Sequence, residues 1–173
     1  MTYCPIFNSL SSELTLNAHD LITVKQLLLN GANINYQSDT GWCLLFELIA
    51  LGLDNEIEIL SHYEIDINIK DNKGRNALFW AIYHGNNTLV NRLISLGCDP
   101  SEFIMPALPS LHYAIFKNEK EIVNSLINWG VNINICDSNY SSALAYAYLY
   151  EKEEMIELLI SQGATCCETK PIL

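Results

Sequence analysis

Residues 128–134 read NWGVNIN, almost repeating the LNGANIN of residues 29–35. The glycines of the two phrases, Gly31 and Gly130, lie three steps of 33 residues apart. Glu64, Gly97 and Gly163 stand at the other multiples of the same step, so the chain carries five marks at one period. Self-similarity at a fixed period of this length indicates stacked copies of one supersecondary unit.

Other positions keep the same period, with leucine in two columns and alanine in most of a third. The columns are Leu45, Leu78, Leu111 and Leu144; Leu48, Ala81, Ala114 and Ala147; and Leu60, Leu93, Leu126 and Leu159. Each unit has two short stretches with helical apolar spacing, such as ALFWAIYH at 77–84 and TLVNRLISL at 88–96, followed by a polar connection. One helix–turn–helix unit cannot bury both of its apolar faces, so the sequence predicts an all-α stack.

The best-kept unit, LHYAIFKNEKEIVNSLINWGVNIN at 111–134, resembles the ankyrin repeat. In that family a T-P-L-H motif opens a first helix, and a second apolar helix leads into a G-A-x-x-N ending. The resemblance spans roughly residues 10–164 and implies one all-α ankyrin-repeat solenoid. The expected divisions of the domain 1–173 are a capping unit at 1–31, repeats at 32–64, 65–97, 98–130 and 131–164, and a tail at 165–173.

Departures from the family pattern predict irregular positions. The Thr that caps the first helix is replaced by Cys43, Asn76, Pro109 and Ser142. Among these, the side chains of Asn76 and Ser142 are the ones able to cap a helix. Glu64 stands where the family usually has a left-handed glycine, at a cost of about 1 kcal/mol, so we expect that repeat to be less regular. The loop DPSEFIMPALP at 99–109 lacks the usual Asp and Gly and should turn differently.

The turns between paired helices fall on one further column. Its residues are Gly52, Gly85, Asn118 and Glu151. Glycine tolerates a positive φ at Gly52 and Gly85, and Asn118 and Glu151 take the turn position in the next two units.

Composition restricts the class of protein. The chain has 173 residues, of which 50% are hydrophobic, enough to bury a core. Apolar runs such as LIALGL at 48–53 are too short to span a bilayer, and the N-terminus lacks the features of a secretory signal. A cytoplasmic protein without membrane contact is therefore expected. Six cysteines without a C-x-x-C pair are expected to be reduced thiols, with Cys166 and Cys167 an exposed, oxidation-prone pair.

The net charge of the chain indicates which kind of binding partner to expect. Twenty acidic and nine basic residues give a net charge of −11, which would repel a nucleic-acid backbone and attract a basic protein.

Catalysis is not expected, because the sequence has no nucleophile elbow, no phosphate-binding glycine loop and no H-E-x-x-H motif. His112 occupies the family's structural histidine position, which implies a hydrogen-bonded scaffold residue. The glutamates between 151 and 157 are expected to form a solvated helix face. We predict no catalytic residue, metal site or cofactor.

The resemblance also implies a binding surface, because loop tips and the ends of first helices line the concave face in this family. Large apolar side chains at such exposed positions indicate a partner site. The expected contact residues are Trp42, Arg75, Trp80, Tyr83, His84, Met105, Leu108, Tyr113, Phe116, Lys117, Tyr146, Leu149 and Tyr150. For Trp80, Tyr113 and Tyr146 burial in the core stays an alternative, since the family often buries a large residue in that column.

These features predict a non-catalytic protein-binding module, monomeric apart from its partner. Three functions remain open. The first is an inhibitor or immunity protein that neutralises a basic toxin or enzyme through the groove. The second is an effector of an intracellular bacterium or virus that binds a host protein, and the third is a cytosolic scaffold or adaptor.

Overall fold

The computed structural model describes residues 5–166, with side chains from residue 9 onward. Cys4, Cys167 and most of the expected tail lie outside the described residues. The chain divides into two compact units, Met1–Trp80 and Ala81–Leu173, and each is described by itself.

The first unit is built from paired helices. These are α1 (Pro5–Leu16) with α2 (Leu21–Leu29), α3 (Leu44–Leu51) with α4 (Asp54–Leu60), and the start of α5 (Ala77–Tyr83). Helix α1 packs against α2 and α3, and α3 packs against α4. A 3₁₀ turn over Ser61–Tyr63 extends α4.

The second unit repeats the pairing. It holds the end of α5, then α6 (Asn87–Ser95), a hairpin of β1 (Phe103–Met105) and β2 (Leu108–Pro109), α7 (Ser110–Lys117), α8 (Lys120–Asn128), α9 (Ala143–Leu149) and α10 (Glu153–Ser161). Helix α7 packs against α8 and α9, α6 against α8, and α9 against α10.

The periodic apolar columns form the cores of both units. In the first unit Leu45, Leu48 and Leu60 are buried, and in the second unit Leu111 and Leu126 are buried. The alanines let neighbouring first helices approach closely, as in the contact between α7 and α9. The all-α prediction and the apolar register are thus confirmed for the residues described.

The turns between paired helices lie at the predicted positions, and their backbone is left-handed. In the column between paired helices φ is 70° at Gly52, 66° at Gly85, 64° at Asn118 and 53° at Glu151. Glu64 also adopts a left-handed backbone, with φ of 58°. Its helix α4 ends in the 3₁₀ turn, which confirms that this repeat is less regular.

The connecting loops are small hairpins closed by backbone hydrogen bonds. The amide of Asp71 donates to the carbonyl of Arg75 at 2.9 Å, and the amide of Gly74 donates to the carbonyl of Asp71 at 2.8 Å. In the loop that lacks Asp and Gly, β1 and β2 pair antiparallel and Ala107 takes the left-handed position with φ of 67°. The hairpin therefore persists there although its residues differ, because strand pairing replaces the aspartate-based turn.

Capping follows the residue chemistry. The Asn76 Oδ1 accepts from the Phe79 amide at 3.0 Å, and the Ser142 Oγ accepts from the Ala145 amide at 3.1 Å. Neither Cys43 nor Pro109 makes a side-chain cap.

Ser142→Ala should lower the free energy of unfolding by about 1 kcal/mol, because it leaves the Ala145 amide without its cap. Urea unfolding followed by circular dichroism measures the loss. Ser138→Ala, at an exposed loop position, is the matched control and should change stability by less than about 0.5 kcal/mol. Equal losses in both variants would contradict a role for the cap.

Two of the described thiols are free, as expected. Cys43 is buried, and burial raises its pKa to about 11, whereas Cys166 is exposed.

Candidate functional site

The expected contact residues of the first unit, Trp42, Arg75 and Trp80, form one cluster with Phe46 and Phe79, which we call the tryptophan cluster. The ring centroids of Trp42 and Trp80 lie 5.1 Å apart in an edge-to-face arrangement. The Arg75 guanidinium lies 4.3 Å from the Trp80 ring centroid and 5.4 Å from that of Phe79. Trp42, Arg75 and Trp80 are half-buried as a result.

Two side chains of the tryptophan cluster bind carboxylates of the same unit. The Asp71 Oδ2 lies 2.6 Å from the Arg75 Nη2. The Trp42 indole donates to the Glu47 Oε2 at 2.7 Å. Trp42 was expected at an exposed loop tip, but it packs on the first helix instead. Neither acid was predicted, because Asp71 and Trp42 lie outside the helices, where the spacing rule for helical side-chain pairs does not apply.

The second unit holds an open pocket of about 220 Å³, lined by Leu108, Tyr113, Phe116, Tyr146 and Tyr150. The ring centroids of Phe116 and Tyr150 lie 5.0 Å apart, and those of Tyr146 and Tyr150 lie 5.8 Å apart. We call this set the aromatic pocket. It brings together five of the residues predicted from the sequence.

The side chains that line the aromatic pocket differ in how much of their surface is exposed to solvent. Phe116 is 47% exposed and Tyr150 is 39% exposed, and the neighbouring Leu149 is 70% exposed. Tyr113 is only 8% exposed, so of its two expected places, surface stripe or core, the structure shows the buried one, and the ring lines the pocket from there. Its side chain is buried because α9 packs against α7.

The remaining predicted residues lie around other side chains of the second unit. The Lys117 ammonium lies 4.8 Å from the ring centroid of Tyr83, which is 48% exposed, and His84 packs edge-on against the same ring. Met105 is half-buried in β1. The Lys117 ammonium therefore contacts the Tyr83 ring, which does not line the aromatic pocket.

A buried polar network stands behind the pocket. The Asp137 Oδ2 accepts from the Tyr146 hydroxyl at 3.0 Å, and the Asp137 Oδ1 accepts from the Asn139 and Ser141 amides, each at 2.8 Å. The His112 Nε2 lies 2.8 Å from the Ser141 carbonyl oxygen. The expected scaffold role of His112 agrees with this contact. Asp137 was not predicted, although it repeats the loop position of Asp71.

The network fixes protonation states. Burial disfavours the Asp137 carboxylate, but the Ser141 and Asn139 amides and the Tyr146 hydroxyl outweigh it and lower its pKa. Burial, together with the hydrogen bond to Asp137, raises the pKa of Tyr146 to about 12. Burial lowers the pKa of His112. A carbonyl only accepts, so the neutral His112 ring donates from Nε2 and leaves Nδ1 unprotonated.

Stability should fall as the pH drops below about 6.5, the ordinary pKa of histidine. Because the pKa of His112 is lowered in the folded state, the unfolded chain takes up a proton at this histidine at a higher pH than the folded chain does. The contribution of neutral His112 to the free energy of unfolding is therefore complete above about pH 6.5. It is lost below that pH, by at most about 1.4 kcal/mol per pH unit. Urea unfolding across this pH range measures the slope. His112→Gln should flatten it, whereas His62→Gln, at an exposed ring, should retain it. The same slope in both variants would contradict this assignment.

The described residues offer little for metal chemistry or membrane insertion. Among them, no group of three or more His, Cys, Asp or Glu side chains could hold a metal ion. No described helix combines the length and the apolar character that a bilayer span requires. The side chains of Glu151, Glu153, Glu154 and Glu157 are exposed, which confirms the predicted solvated face.

These helix pairs, hairpins and turns define a repeat protein of helix–turn–helix units. A family model of three ankyrin repeats matches residues 14–103, more than half of the chain, and a single-repeat model matches residues 110–138. The chain belongs to the ankyrin-repeat family, and its fold is the all-α repeat solenoid of that family. Such proteins are in general non-catalytic modules that bind other proteins.

A curated protein with a similar sequence is "Calmodulin-binding transcription activator CBT" of Oryza sativa subsp. japonica, which is 30% identical over 100 residues. The match covers 58% of this chain and 11% of that protein. The similarity therefore concerns a small part of the rice protein.

Proposed function

We propose that the chain binds another protein through the aromatic pocket of the second unit and the exposed side chains beside it. The single observation that carries this proposal is the exposure of Phe116, Leu149 and Tyr150 around an open pocket. Such side chains would be removed from water by a partner, and contiguous exposed apolar surface is typical of interaction sites. Aromatic residues also dominate the binding energy of protein interfaces.

The finer proposal is that the chain is an inhibitor or immunity protein, which neutralises a basic toxin or enzyme by occupying its functional surface. The net charge of −11 supports a basic partner, because opposite charges accelerate encounter and favour correct orientation. We propose that the chain is not an enzyme and acts as a monomer apart from this partner. We propose that the chain binds neither nucleic acid nor a membrane.

A scaffold or adaptor is the second candidate, and the similarity to the rice protein favours it. A short array within a much longer protein is typical of a module that joins proteins, and calmodulin binding and transcription are not carried over to this chain. An effector that binds a host protein would use the same pocket. A cytoplasmic location remains part of the proposal, because reducing compartments keep thiols such as those of Cys43 and Cys166 free.

The proposal is tested by isolating the partner with the full chain as bait. Mixing the purified partner with the chain then asks whether a toxic or enzymatic activity is lost. Loss of that activity at equimolar chain supports an inhibitor. Tight binding with full activity supports a scaffold or effector, and absence of any specific partner contradicts the proposed function.

The association rate with the partner should fall about tenfold or more between about 0.01 M and 1 M salt, because screening shortens the Debye length from about 30 Å to about 3 Å. Stopped-flow mixing over this range measures the rate, and the dissociation rate should change much less. A rate that does not depend on salt would mean that the acidic surface serves solubility and not recognition.

A further inference from the structure

The tryptophan cluster shows how this repeat holds a guanidinium. Arg75 lies between two partners, with its Nη2 2.6 Å from the Asp71 Oδ2 and its guanidinium carbon 4.3 Å from the Trp80 ring centroid. The cation is thus paired with a carboxylate and stacked on an aromatic face, the two interactions that a planar guanidinium makes best.

Two periods of 33 residues later, the same columns keep the acid and the ring but not the cation. Asp137 corresponds to Asp71 and Tyr146 corresponds to Trp80, whereas Ser141 stands in the column of Arg75. The Asp137 carboxylate accepts the Tyr146 hydroxyl at 3.0 Å instead. In the second unit the acid and the ring therefore bond to each other, and the Tyr146 ring, which lines the aromatic pocket, is the part of the arrangement left for a cation from outside.

The aromatic pocket includes the Tyr146 ring, but neither Asp137 nor Ser141 is among the residues that line it. Its volume of about 220 Å³ is bounded by the rings of Tyr113, Phe116, Tyr146 and Tyr150. The Tyr146 hydroxyl donates to a carboxylate, which makes its ring more electron-rich and a better partner for a cation. The pocket is therefore suited to a flat, positively charged group.

Acidic residues follow the pocket residue Tyr150 in the sequence. Glu151, Glu153 and Glu154, with Asn118 and Lys152, line a separate polar depression of about 340 Å³. Glu154 is paired with Lys120 at 3.0 Å, and Lys117 is held over Tyr83. Acidic groups exceed basic ones in the segment 151–157, and the net charge of the chain is −11.

We infer that the aromatic pocket binds an arginine side chain of a basic partner protein, in the role that Arg75 has within the first unit. This inference rests on the proposed function, since it names the chemistry that the pocket recognises. Arginine fits better than lysine, because a guanidinium stacks on several rings while an ammonium stays strongly hydrated. Leucine would fill the volume without the attraction between a cation and the aromatic faces.

The test uses N-acetyl-arginine N-methylamide as the probe, with the full chain observed by aromatic NMR. The citrulline analogue has nearly the same shape without charge, and the lysine and leucine analogues complete the series. Saturable shifts should appear on Tyr146, Tyr150 and Phe116, with a dissociation constant on the order of millimolar, as expected for so small a ligand. Citrulline should bind about tenfold more weakly.

Two exposed tyrosines of the same region give a matched pair of variants. Tyr150→Ala should weaken binding of the arginine probe about fivefold or more, whereas Tyr148→Ala should leave it within about twofold. Tyr148 is 54% exposed and does not line the pocket. Circular dichroism of both variants establishes that they are folded.

Three outcomes would overturn the inference. They are equal binding of the leucine or citrulline analogue, no saturable shift of the pocket rings, and equal effects of the two tyrosine variants. If the probe fails while a captured partner still depends on Phe116 and Tyr150, the proposed function stands and the arginine inference falls. If the partner does not depend on these residues either, both fall.

Discussion

Gly41→Ala should destabilise the first unit by about 3 kcal/mol, the largest effect that we expect from a single methyl group in this chain. Gly41 has φ of 80°, and a Cβ built there would lie 2.5 Å from the Asn72 backbone nitrogen and 2.8 Å from the Asp71 Cα. Backbone atoms of a closed hairpin cannot move aside as a flexible side chain can. The left-handed backbone adds its own strain for any residue with a Cβ.

The matched control is Gly52→Ala in the same unit. Gly52 has a similar φ of 70°, but nothing lies within 4 Å of its virtual Cβ, so the cost should be the backbone strain alone, about 1 kcal/mol. Urea unfolding of both variants, followed by circular dichroism, gives the difference. Losses of equal size would show that the hairpin around Asn72 yields easily and that the close approach is unimportant.

The sequence was sufficient to predict the fold because periodicity reports on every unit at once. Burial of Leu45 and Leu111, the left-handed Glu64 and the cap at Ser142 all follow from the 33-residue register. The crowding of Gly41 does not follow from it, because Asn72 belongs to the next hairpin and their distance depends on how neighbouring repeats stack.

The third hairpin shows another limit of reading residue types. Its Ala107 takes the left-handed position that glycine fills in the first two loops. An alanine gives no sequence signal for that conformation. The pairing of β1 with β2 holds it in place, and such pairing is a property of the whole loop and not of one residue.

The candidate site was predicted in part for the same reason. The register placed Phe116 and Tyr150 at exposed positions, and both are exposed. It placed Tyr113 in the same stripe, where burial against α9 overrides exposure. The bond between Tyr146 and Asp137 joins a helix to a loop nine residues earlier, and side-chain direction decides it. Spacing shows which columns keep an acid and a ring, but it does not show that these two side chains bond to each other.

Tyr150→Ala and Phe116→Ala should each weaken binding of the partner by about 1–4 kcal/mol, because buried aromatic side chains carry most of the energy of a tight interface. We expect Tyr83→Ala to act in the same direction. These side chains are between 39% and 48% exposed in the chain alone, so their loss should change folding stability much less than binding. Calorimetry with the isolated partner measures the affinity, and thermal unfolding measures the stability of each variant.

Three exposed positions that do not line the aromatic pocket serve as controls for this prediction. Glu58 lies on α4, Lys120 on α8 and Tyr148 on α9. Replacing any one of them with Ala should change the binding free energy by less than about 0.5 kcal/mol. Tyr148 tests whether any exposed tyrosine would have the same effect, and Lys120 tests the loss of one surface ion pair. Suppose instead that the pocket variants unfold while binding per folded molecule is unchanged. Their side chains would then belong to the core, and the partner would have to dock on another face of the repeats.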